Sequence, residues 1–359
     1  MLLAMALVVA VVLALALANR AAHSFGAGAF LPTGKAQWIW SGRMRHSQEP
    51  GAFYAVRDFA IDRAPDRARL LVMGDEEYVL YLNGRRVGSG GYRNGAGIDA
   101  YEVGPLLLPG GNRLMAELRS SGGAGGFLLS LGDETGRPIV VTDESWRVLD
   151  RDHPGLMRGW LPVGYEGLGP VGEPAFCWGV PPVGRWGSPE PGTARPLFAE
   201  LAPAEIPGVR RLRPGGQDLP GGARVVYDWG REVTGYLSLE LRPGDQLQTA
   251  LLYTGDAPPR PGIDRPAGAV LLLPGRRQWL DATPRRFRYA MVIGIDEPLA
   301  ARVHALAPDL TPEKVTRLLP KEGQSGVLGI EPPPLRTPVE DEVWRKLESV
   351  PGIAGRKDL

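Results

Sequence analysis

The sequence predicts an all-β protein built from two antiparallel β-sandwiches. It contains 49 Gly and 35 Pro among its 359 residues, a content that long helices do not tolerate and that short strands joined by turns require. From Trp38 onward, short runs of β-forming residues alternate with turn residues. The length also exceeds the ~100–200 residues of one typical domain. We therefore expect two modules, and 43% hydrophobic with 23% charged residues indicates that they are globular.

Residues 1–18 form an unbroken apolar segment, which we expect to be a hydrophobic helix. Ala16-Leu17-Ala18 fits the small-x-small pattern of a signal-peptidase site. The segment is longer than the ~7–15 residues of a usual signal core, however, and it reaches the ~17–25 residues that can span a bilayer. A cleaved signal peptide and a retained membrane anchor both stay open, and either would place the protein outside the cytoplasm. Residues 19–35 would then be a tether.

The first sandwich is expected over residues 36–150. Its clearest signal is Asn83-Gly84 between two β runs, because this dipeptide tolerates the positive φ angles of a type I′ hairpin turn. Further runs typical of strands are 53–59, 68–73, 78–82, 85–88, 113–118 and 127–131.

Three segments follow the first sandwich. Residues 151–222 are rich in Pro, Gly and Trp and indicate an ordered connector. Large aromatic side chains such as Trp160, Trp178 and Trp186 are expected to pack against other residues, which a solvated linker would not allow. Residues 223–297 predict the second sandwich, to which part of the connector could belong. Residues 298–359 predict a Pro-rich tail with short helices, the first of which starts at Thr311-Pro312. The strand-like runs of the second sandwich are 224–229, 236–241, 248–253, 269–273 and 287–293.

Several motifs, in this order, resemble the amino-terminal part of bacterial α-L-rhamnosidases. They are Trp38-Ile39-Trp40, the Tyr-Leu-Asn-Gly hairpin at 81–84, the segments 99–103 and 144–147, and then Tyr227 to Tyr236 and Arg285 to Tyr289. The resemblance covers about residues 36–295 and implies jelly-roll, galactose-binding-like sandwiches. Rhamnosidases carry their catalytic residues in a large helical barrel after these modules, whereas only about 60 residues follow here. The resemblance therefore implies a protein that is not an enzyme, and no catalytic residue is assigned.

The sequence gives little support for nucleic-acid binding, metal binding or hydrolysis. A formal net charge of +1 provides no positive electrostatic field that would attract nucleic acid. One cysteine and four scattered histidines form no metal-binding motif, and no cofactor is expected. The acidic runs Asp75-Glu76-Glu77 and Glu340-Asp341-Glu342 are interpreted as solvated surface, since neighbouring residues on a strand or helix do not face each other across a sugar. No serine lies in a Gly-x-Ser-x-Gly context.

A sugar-binding site is the candidate for function. Sugars are bound by an aromatic face together with short polar or Arg groups on sandwich loops. The loop from Gly88 to Tyr101 carries such groups, and the resemblance places Arg119 near it. The opposite interpretation, in which Tyr101 is core and Arg93 faces solvent, stays open. The candidate residues are Tyr92, Arg93, Asn94, Asp99, Tyr101 and Arg119.

The expected function is accordingly non-catalytic binding of a glycan or of another cell-envelope protein. The alternative is a structural accessory subunit of a membrane or envelope complex, held to the membrane through residues 1–18. A hydrolase with an unrecognised site is a third hypothesis, which no motif supports.

Overall fold

The computed structural model describes residues 33–91, 97–152, 172–189, 194–212 and 225–315. The predicted amino-terminal helix, most of the tether and the tail beyond residue 315 lie outside these ranges. Over the described ranges the chain is all-β with three sheets in which antiparallel pairing predominates, as predicted. None of the helices in these ranges has the length and apolar character needed to cross a membrane.

The helical elements in the described ranges are short. Two α-helices, α1 (Phe198–Leu201) and α2 (Pro312–Val315), accompany two 3-10 helices, η1 (Gly104–Leu106) and η2 (Gly184–Trp186). The strands are β1 (Trp38–Trp40), β2 (Gly51–Ile61), β3 (Ala68–Asp75), β4 (Glu77–Leu82), β5 (Arg85–Gly91), β6 (Asp99–Glu102), β7 (Gly110–Ser120), β8 (Gly126–Asp133), β9 (Pro138–Val141), β10 (Arg147–Leu149), β11 (Glu173–Pro174), β12 (Phe176–Gly179), β13 (Ala194–Arg195), β14 (Ala204–Pro207), β15 (Val209–Leu212), β16 (Val225–Glu240), β17 (Gln248–Gly255), β18 (Gly268–Leu272), β19 (Gln278–Leu280), β20 (Arg285–Ile293) and β21 (Ala300–Ala305).

Two sheets form the first sandwich. The first sheet has the order β12-β1-β8-β3-β6-β13, with β9 also paired to β8, and the second sheet has the order β11-β10-β2-β7-β4-β5. Their inner faces bury one apolar cluster that includes Phe53, Leu70, Leu80 and Phe127. Alternation along each strand sends every second side chain into this cluster.

The hairpin predicted from Asn83-Gly84 is confirmed. Asn83 (φ +52°) and Gly84 (φ +75°) both have positive φ angles and connect the paired strands β4 and β5, as a type I′ turn requires. The Asn83 side chain also holds the turn to its neighbours. Its amide donates to Leu106 O (2.9 Å) and its oxygen accepts from the Arg113 amide (2.9 Å).

The segment 151–222 contributes strands to both parts of the molecule. Strand β12 pairs with β1 and β13 lies parallel to β6 in the first sheet, whereas β14 and β15 join the third sheet. The sequence does not predict these strands, because runs of two to four residues interrupted by Pro and Gly are too short to show a period of two.

The third sheet contains eight strands in the order β14-β21-β16-β20-β17-β18, with β15 and β19 also paired to β16. The predicted strands 224–229 and 236–241 are parts of one strand, β16, whose register on β20 shifts between Asp228 and Val233. Residues from both halves of β16 enter the same buried cluster. The third sheet thus encloses its own core. The two halves of the long bulged strand β16 contribute to both sides of the second module.

Strand β21 lies within the segment that the sequence places in the tail. It pairs with β14 and with residues 235–240 of β16, so the third sheet extends beyond residue 297. Its sequence, Ala-Ala-Arg-Val-His-Ala, contains few residues with high β propensity, and the long-range partners decide its conformation. Helix α2 starts at Pro312 after Thr311, as predicted.

The second sheet is covered on both faces. Its outer face carries Tyr54, Tyr81 and Met115, which join Tyr236 and Tyr253 of the third sheet in one buried cluster. The second sheet is therefore the middle layer between the first sheet and the third. Apolar contact of this kind makes the two modules one unit rather than two domains on a flexible linker.

A buried ionic network lies inside this interface. Glu117 Oε1 accepts hydrogen bonds from Arg119 Nε (3.0 Å) and Nη2 (2.8 Å), and Glu117 Oε2 lies 3.2 Å from Arg276 Nη2. Arg119 Nη2 also donates to Leu280 O (2.9 Å), which belongs to the third sheet. The side chains of Glu117 and Arg119 are each only 2% exposed. A carboxylate from the middle layer thus binds a guanidinium from each of the two modules.

The network sets the ionisation of Glu117. Burial opposes the charged form, but the guanidiniums of Arg119 and Arg276 outweigh it and lower the pKa of Glu117 below its ordinary value of 4.5. A depressed pKa means that this group stabilises the fold above the ordinary carboxyl pKa. That contribution is lost as the pH falls through the folded-state pKa.

The first prediction concerns this interface. Glu117→Ala leaves two buried guanidiniums without their carboxylate and is expected to lower the free energy of unfolding by about 3–5 kcal/mol. Glu232→Ala is the matched control, because Glu232 pairs with Arg286 at 3.7 Å on the surface, where both side chains are about half exposed. Its expected loss is ~0–1 kcal/mol. Urea denaturation at neutral pH measures both, and equal losses would contradict the assignment.

Candidate functional site

The connections β1–β2, β3–β4 and β7–β8, together with the end of β5 and the start of β6, lie at one end of the first sandwich, which we call the loop end. Pairing of Asp75 with Gly126 places the ends of β3 and β8 side by side. Pairing of Glu77 with Gly91 and with Arg119 brings the ends of β5 and β7 to the start of β4. Neighbouring antiparallel strands run in opposite directions, so these described strand ends lie together at the loop end.

Three of the six predicted site residues, Tyr92, Arg93 and Asn94, lie outside the described residues, and their role stays a prediction. The other three are buried, with 7% of Asp99, 1% of Tyr101 and 2% of Arg119 exposed. The predicted loop therefore approaches the loop end, but its described residues have turned inward.

Asp99 and Tyr101 belong to a polar cluster between the two sheets. Tyr78 donates to Asp99 Oδ2 (2.5 Å), its hydroxyl lies 3.2 Å from that of Tyr101, and Arg195 Nη1 lies 3.1 Å from Asp99 Oδ1. Burial raises the pKa of both tyrosines. These partners satisfy the groups inside the fold, so the interpretation of Tyr101 as core agrees with the structure.

Arg119 serves the interface between the modules. Its guanidinium binds Glu117, donates to Leu280 O and lies 5.2 Å from the centroid of the Trp279 ring. Arg119 therefore has a structural role at the interface.

The acidic run Asp75-Glu76-Glu77, interpreted from the sequence as solvated surface, is instead built into the loop end. Asp75 Oδ2 accepts from Trp186 Nε1 (2.7 Å) and pairs with Arg185 Nη2 (2.7 Å). Glu76 Oε2 accepts from both the amide and the hydroxyl of Ser121, each at 2.6 Å. The sequence could not show this, because these partners lie 45 to 111 residues away.

Glu77, the last residue of this run, has a raised proton affinity. Burial raises its pKa to about 7, with Asp281 and Glu76 adding to the rise and Arg119 and Arg285 opposing it. Its carboxylate lies 3.7 Å from Arg119 Nη1, and 36% of the side chain is exposed. Since more than a third of the side chain meets water, solvent screening reduces the effect of this shift on stability.

A row of aromatic side chains, which we call the aromatic ridge, lies on the outer side of the first sheet. Its members are Trp38, Trp186, Trp178 and Phe176. Successive ring centroids are 4.6, 5.8 and 5.0 Å apart, within the range of favourable aromatic pairs. The ridge starts at the fully buried Trp38 and ends at Trp178 and Phe176, which are partly exposed on the edge strand β12.

A glycine lets the ridge approach the sheet. A Cβ added to Gly126 would lie 2.6 Å from the Trp186 ring and 2.8 Å from the Trp38 ring, a distance that real Cβ atoms do not adopt. Trp178 Nε1 donates to Gly125 O (3.1 Å), the preceding residue of the same loop. The Gly122–Gly126 run, which the sequence shows only as a loop, therefore joins the ridge to the loop end.

Two arginines border the exposed part of the ridge. The guanidinium carbon of Arg45, from the β1–β2 loop, lies 4.6 Å from the centroid of the Phe176 ring. Arg185 is 52% exposed and donates to Ala124 O (2.8 Å) while it pairs with Asp75. Partly exposed rings next to guanidinium donors provide both contacts that sugar binding requires. The connector tryptophans were interpreted from the sequence only as evidence of an ordered connector. Their density is a signal that could have indicated this site, but their distant partners were not predictable.

The chain is similar to parts of solved α-L-rhamnosidase structures. The enzyme from Aspergillus terreus aligns with a TM-score of 0.50 and 17% identity over 77% of this chain and 36% of its own. The enzymes from Dictyoglumus thermophilum and Bacillus sp. GL1 align with TM-scores of 0.48 and 0.47, 16% and 13% identity, and 76% of this chain in both cases. They are covered over 35% and 54% of their own lengths.

The similarity to the Aspergillus enzyme shows a shared fold, and the chain spans about a third of that enzyme's length. No protein-family model matches the sequence, and no curated protein matches it significantly. The predicted resemblance to part of a rhamnosidase is confirmed at the level of structure.

The second prediction follows from the raised pKa of Glu77. The folded protein binds this proton more tightly than the unfolded chain, so the resulting stabilisation is complete below the ordinary carboxyl pKa and is lost as the pH rises through about 7. The free energy of unfolding of the unmodified protein should therefore fall relative to that of Glu77→Gln between about pH 5 and about pH 8. Denaturant titrations across this range measure the difference. Glu134→Gln, at an exposed position, should show none, and a flat difference for Glu77→Gln would refute the shift.

Proposed function

We propose that this protein binds carbohydrate without cleaving it, through the exposed end of the aromatic ridge. The observation that carries the proposal is that Trp178 and Phe176 are partly exposed next to Arg45 and Arg185. A pyranose ring has one face of C–H groups, which packs on an aromatic ring, and a rim of hydroxyls, which needs fixed polar partners.

The ridge is suited to this task because its base is immobile. Trp186 is held by its hydrogen bond to Asp75 and by stacking on the buried Trp38, and Trp178 is held by Gly125 O. Rings that are already oriented lose little conformational entropy when a ligand binds. The fold shared with part of an α-L-rhamnosidase makes rhamnose-containing glycans the first ligands to test.

The absence of catalysis is part of the proposal. Hydrolysis of a glycoside needs two carboxyl groups on opposite sides of the bond. At the loop end, Asp75 is bound by Arg185 and Trp186, while Glu77 faces Arg119. Each of these carboxyl groups is thus matched with a cation. We further propose that the protein acts outside the cytoplasm, which rests on the apolar segment 1–18.

The third prediction tests binding. Phe176→Ala removes the outermost ring of the ridge and should weaken binding of rhamnose- or galactose-containing oligosaccharides by about 10-fold, given ~0.5–1.5 kcal/mol for an aromatic contact beyond the area that it buries. Isothermal titration calorimetry on glycans selected from an array measures the change. Tyr289→Ala is the matched control, because Tyr289 is also a partly exposed aromatic residue that contacts an arginine, Arg288 at 4.8 Å, but it lies on the third sheet.

The control variant should bind as the unmodified protein does. If no glycan binds, or if both variants lose affinity equally, the proposed site is wrong. Co-purification with membrane proteins in the absence of any sugar binding would instead support the role of an accessory subunit.

The fourth prediction concerns catalysis. The purified protein should release no product from aryl α-L-rhamnosides or aryl β-galactosides above the rate without protein. Release that continues over many turnovers, and that is lost in Glu77→Gln or Asp75→Asn, would overturn the non-catalytic assignment.

A further inference from the structure

We infer that the ridge recognises an anionic sugar residue, a uronic acid or a sulfated sugar, and that Arg45 binds its negative group. This inference rests on the proposed carbohydrate binding and specifies its ligand class. It depends on how Arg45 differs from the other arginines whose contacts the structure describes.

Arg45 is positioned by an aromatic ring rather than by a carboxylate. Its guanidinium carbon lies 4.6 Å from the centroid of Phe176, close enough for a cation–π contact. Stacking orients the planar guanidinium but uses none of its five N–H donors. Across the described parts of the chain, no carboxylate lies within ion-pair distance of Arg45. The N–H donors of this oriented guanidinium therefore remain available to a ligand.

The neighbouring arginines are already neutralised. Arg43, two residues earlier in the same loop, pairs with both Asp150 and Glu173. Arg185 pairs with Asp75 through both Nε and Nη2. Both therefore present guanidiniums whose charge is compensated by the protein. Arg45 is the arginine at the ridge whose charge a ligand can compensate.

The side chains of β12 alternate between its two faces. Successive side chains of a strand point to opposite faces, so Phe176 and Trp178 lie on the ridge side and Cys177 lies on the other. Arg45 contacts Phe176, and the guanidinium carbon of Arg185 lies 5.8 Å from the centroid of the Trp186 ring. Both cations therefore stand on the side of the rings.

This arrangement favours an anionic ligand over a neutral one. A guanidinium forms two parallel hydrogen bonds with a carboxylate or a sulfate, which are roughly twice as strong as bonds to a neutral hydroxyl. The ring beneath Arg45 would contact the C–H face of the same sugar or of its neighbour. A sugar with an acidic group next to an apolar face fits both contacts at once.

The test compares an acidic ligand with its neutral ester, and adds a sulfated ligand. Calorimetry with oligogalacturonate, its fully methyl-esterified form and sulfated galactose oligosaccharides separates the carboxylate, neutral and sulfate cases. We expect the acidic ligands to bind about 10-fold more tightly than the ester, since hydrogen bonds to a charged group are roughly twice as strong as those to a neutral one. Arg45→Gln should remove this preference and leave binding of the ester within about 2-fold. The advantage of the acidic ligands should also fall as salt is raised.

Arg288→Gln is the matched control, because Arg288 also stacks on a ring, Tyr289, but is paired with Asp228. It should leave both affinities unchanged. Equal binding of acidic and esterified ligands, or a preference that survives Arg45→Gln, overturns the inference while carbohydrate binding stands. If neither the acidic nor the esterified ligands bind, and array glycans do not bind either, the proposed function fails and the inference fails with it. Preference for the sulfated or the carboxylated ligand identifies which anionic group is recognised.

Discussion

The contact of Glu117 with Arg119 and Arg276 is the constraint on which the arrangement of the molecule depends. It places full charges between two sheets, where each would be costly alone and where they are tolerated because they neutralise one another. Arg119 reaches across to Leu280 O and Trp279, so the network fixes the register of one module on the other. Apolar contact supplies the area of this interface, whereas the ionic contacts specify a single relative placement.

The interface that contains this network also leaves the middle sheet little access to solvent. Strands β2, β7 and β4 pack one face into the sandwich and the other face against the third sheet, so residues 51–56, 78–82 and 112–120 are buried on both sides. Polar residues can be buried in this layer when they are paired with one another. The predicted ligand-binding residue Arg119 belongs to this layer, and it was therefore unavailable for a ligand. The exposed functional surface has to lie on another sheet, and the aromatic ridge lies on the outer side of the first.

The sequence predicted those features that depend on neighbours in the chain. The Asn83-Gly84 hairpin follows from local backbone preferences, and the main strands follow from alternation. Residues joined by distant partners could not be foreseen: Asp75 was interpreted as surface because Arg185 and Trp186 lie more than 100 residues later. One sequence pattern does indicate the buried ion pair. In Glu117-Leu118-Arg119, opposite charges stand two residues apart and therefore lie on the same face of a strand that is otherwise rich in apolar residues. A buried ion pair within one strand produces this pattern.

Two stacked arginines show how a single carboxylate divides structural from ligand-binding roles. Arg45 on Phe176 and Arg288 on Tyr289 have nearly the same geometry, at 4.6 and 4.8 Å from the ring centroids. Asp228, itself buried, binds Arg288 at 3.0 Å, so the demand for a counter-charge is met within the fold and the stack serves packing. At Phe176 the ring supplies orientation, and the counter-charge is left to whatever the surface binds. Among the described residues, Arg45 stacks on a ring with no carboxylate at ion-pair distance. This difference favours the edge of the first sheet over the charged interface between the modules as the ligand-binding surface.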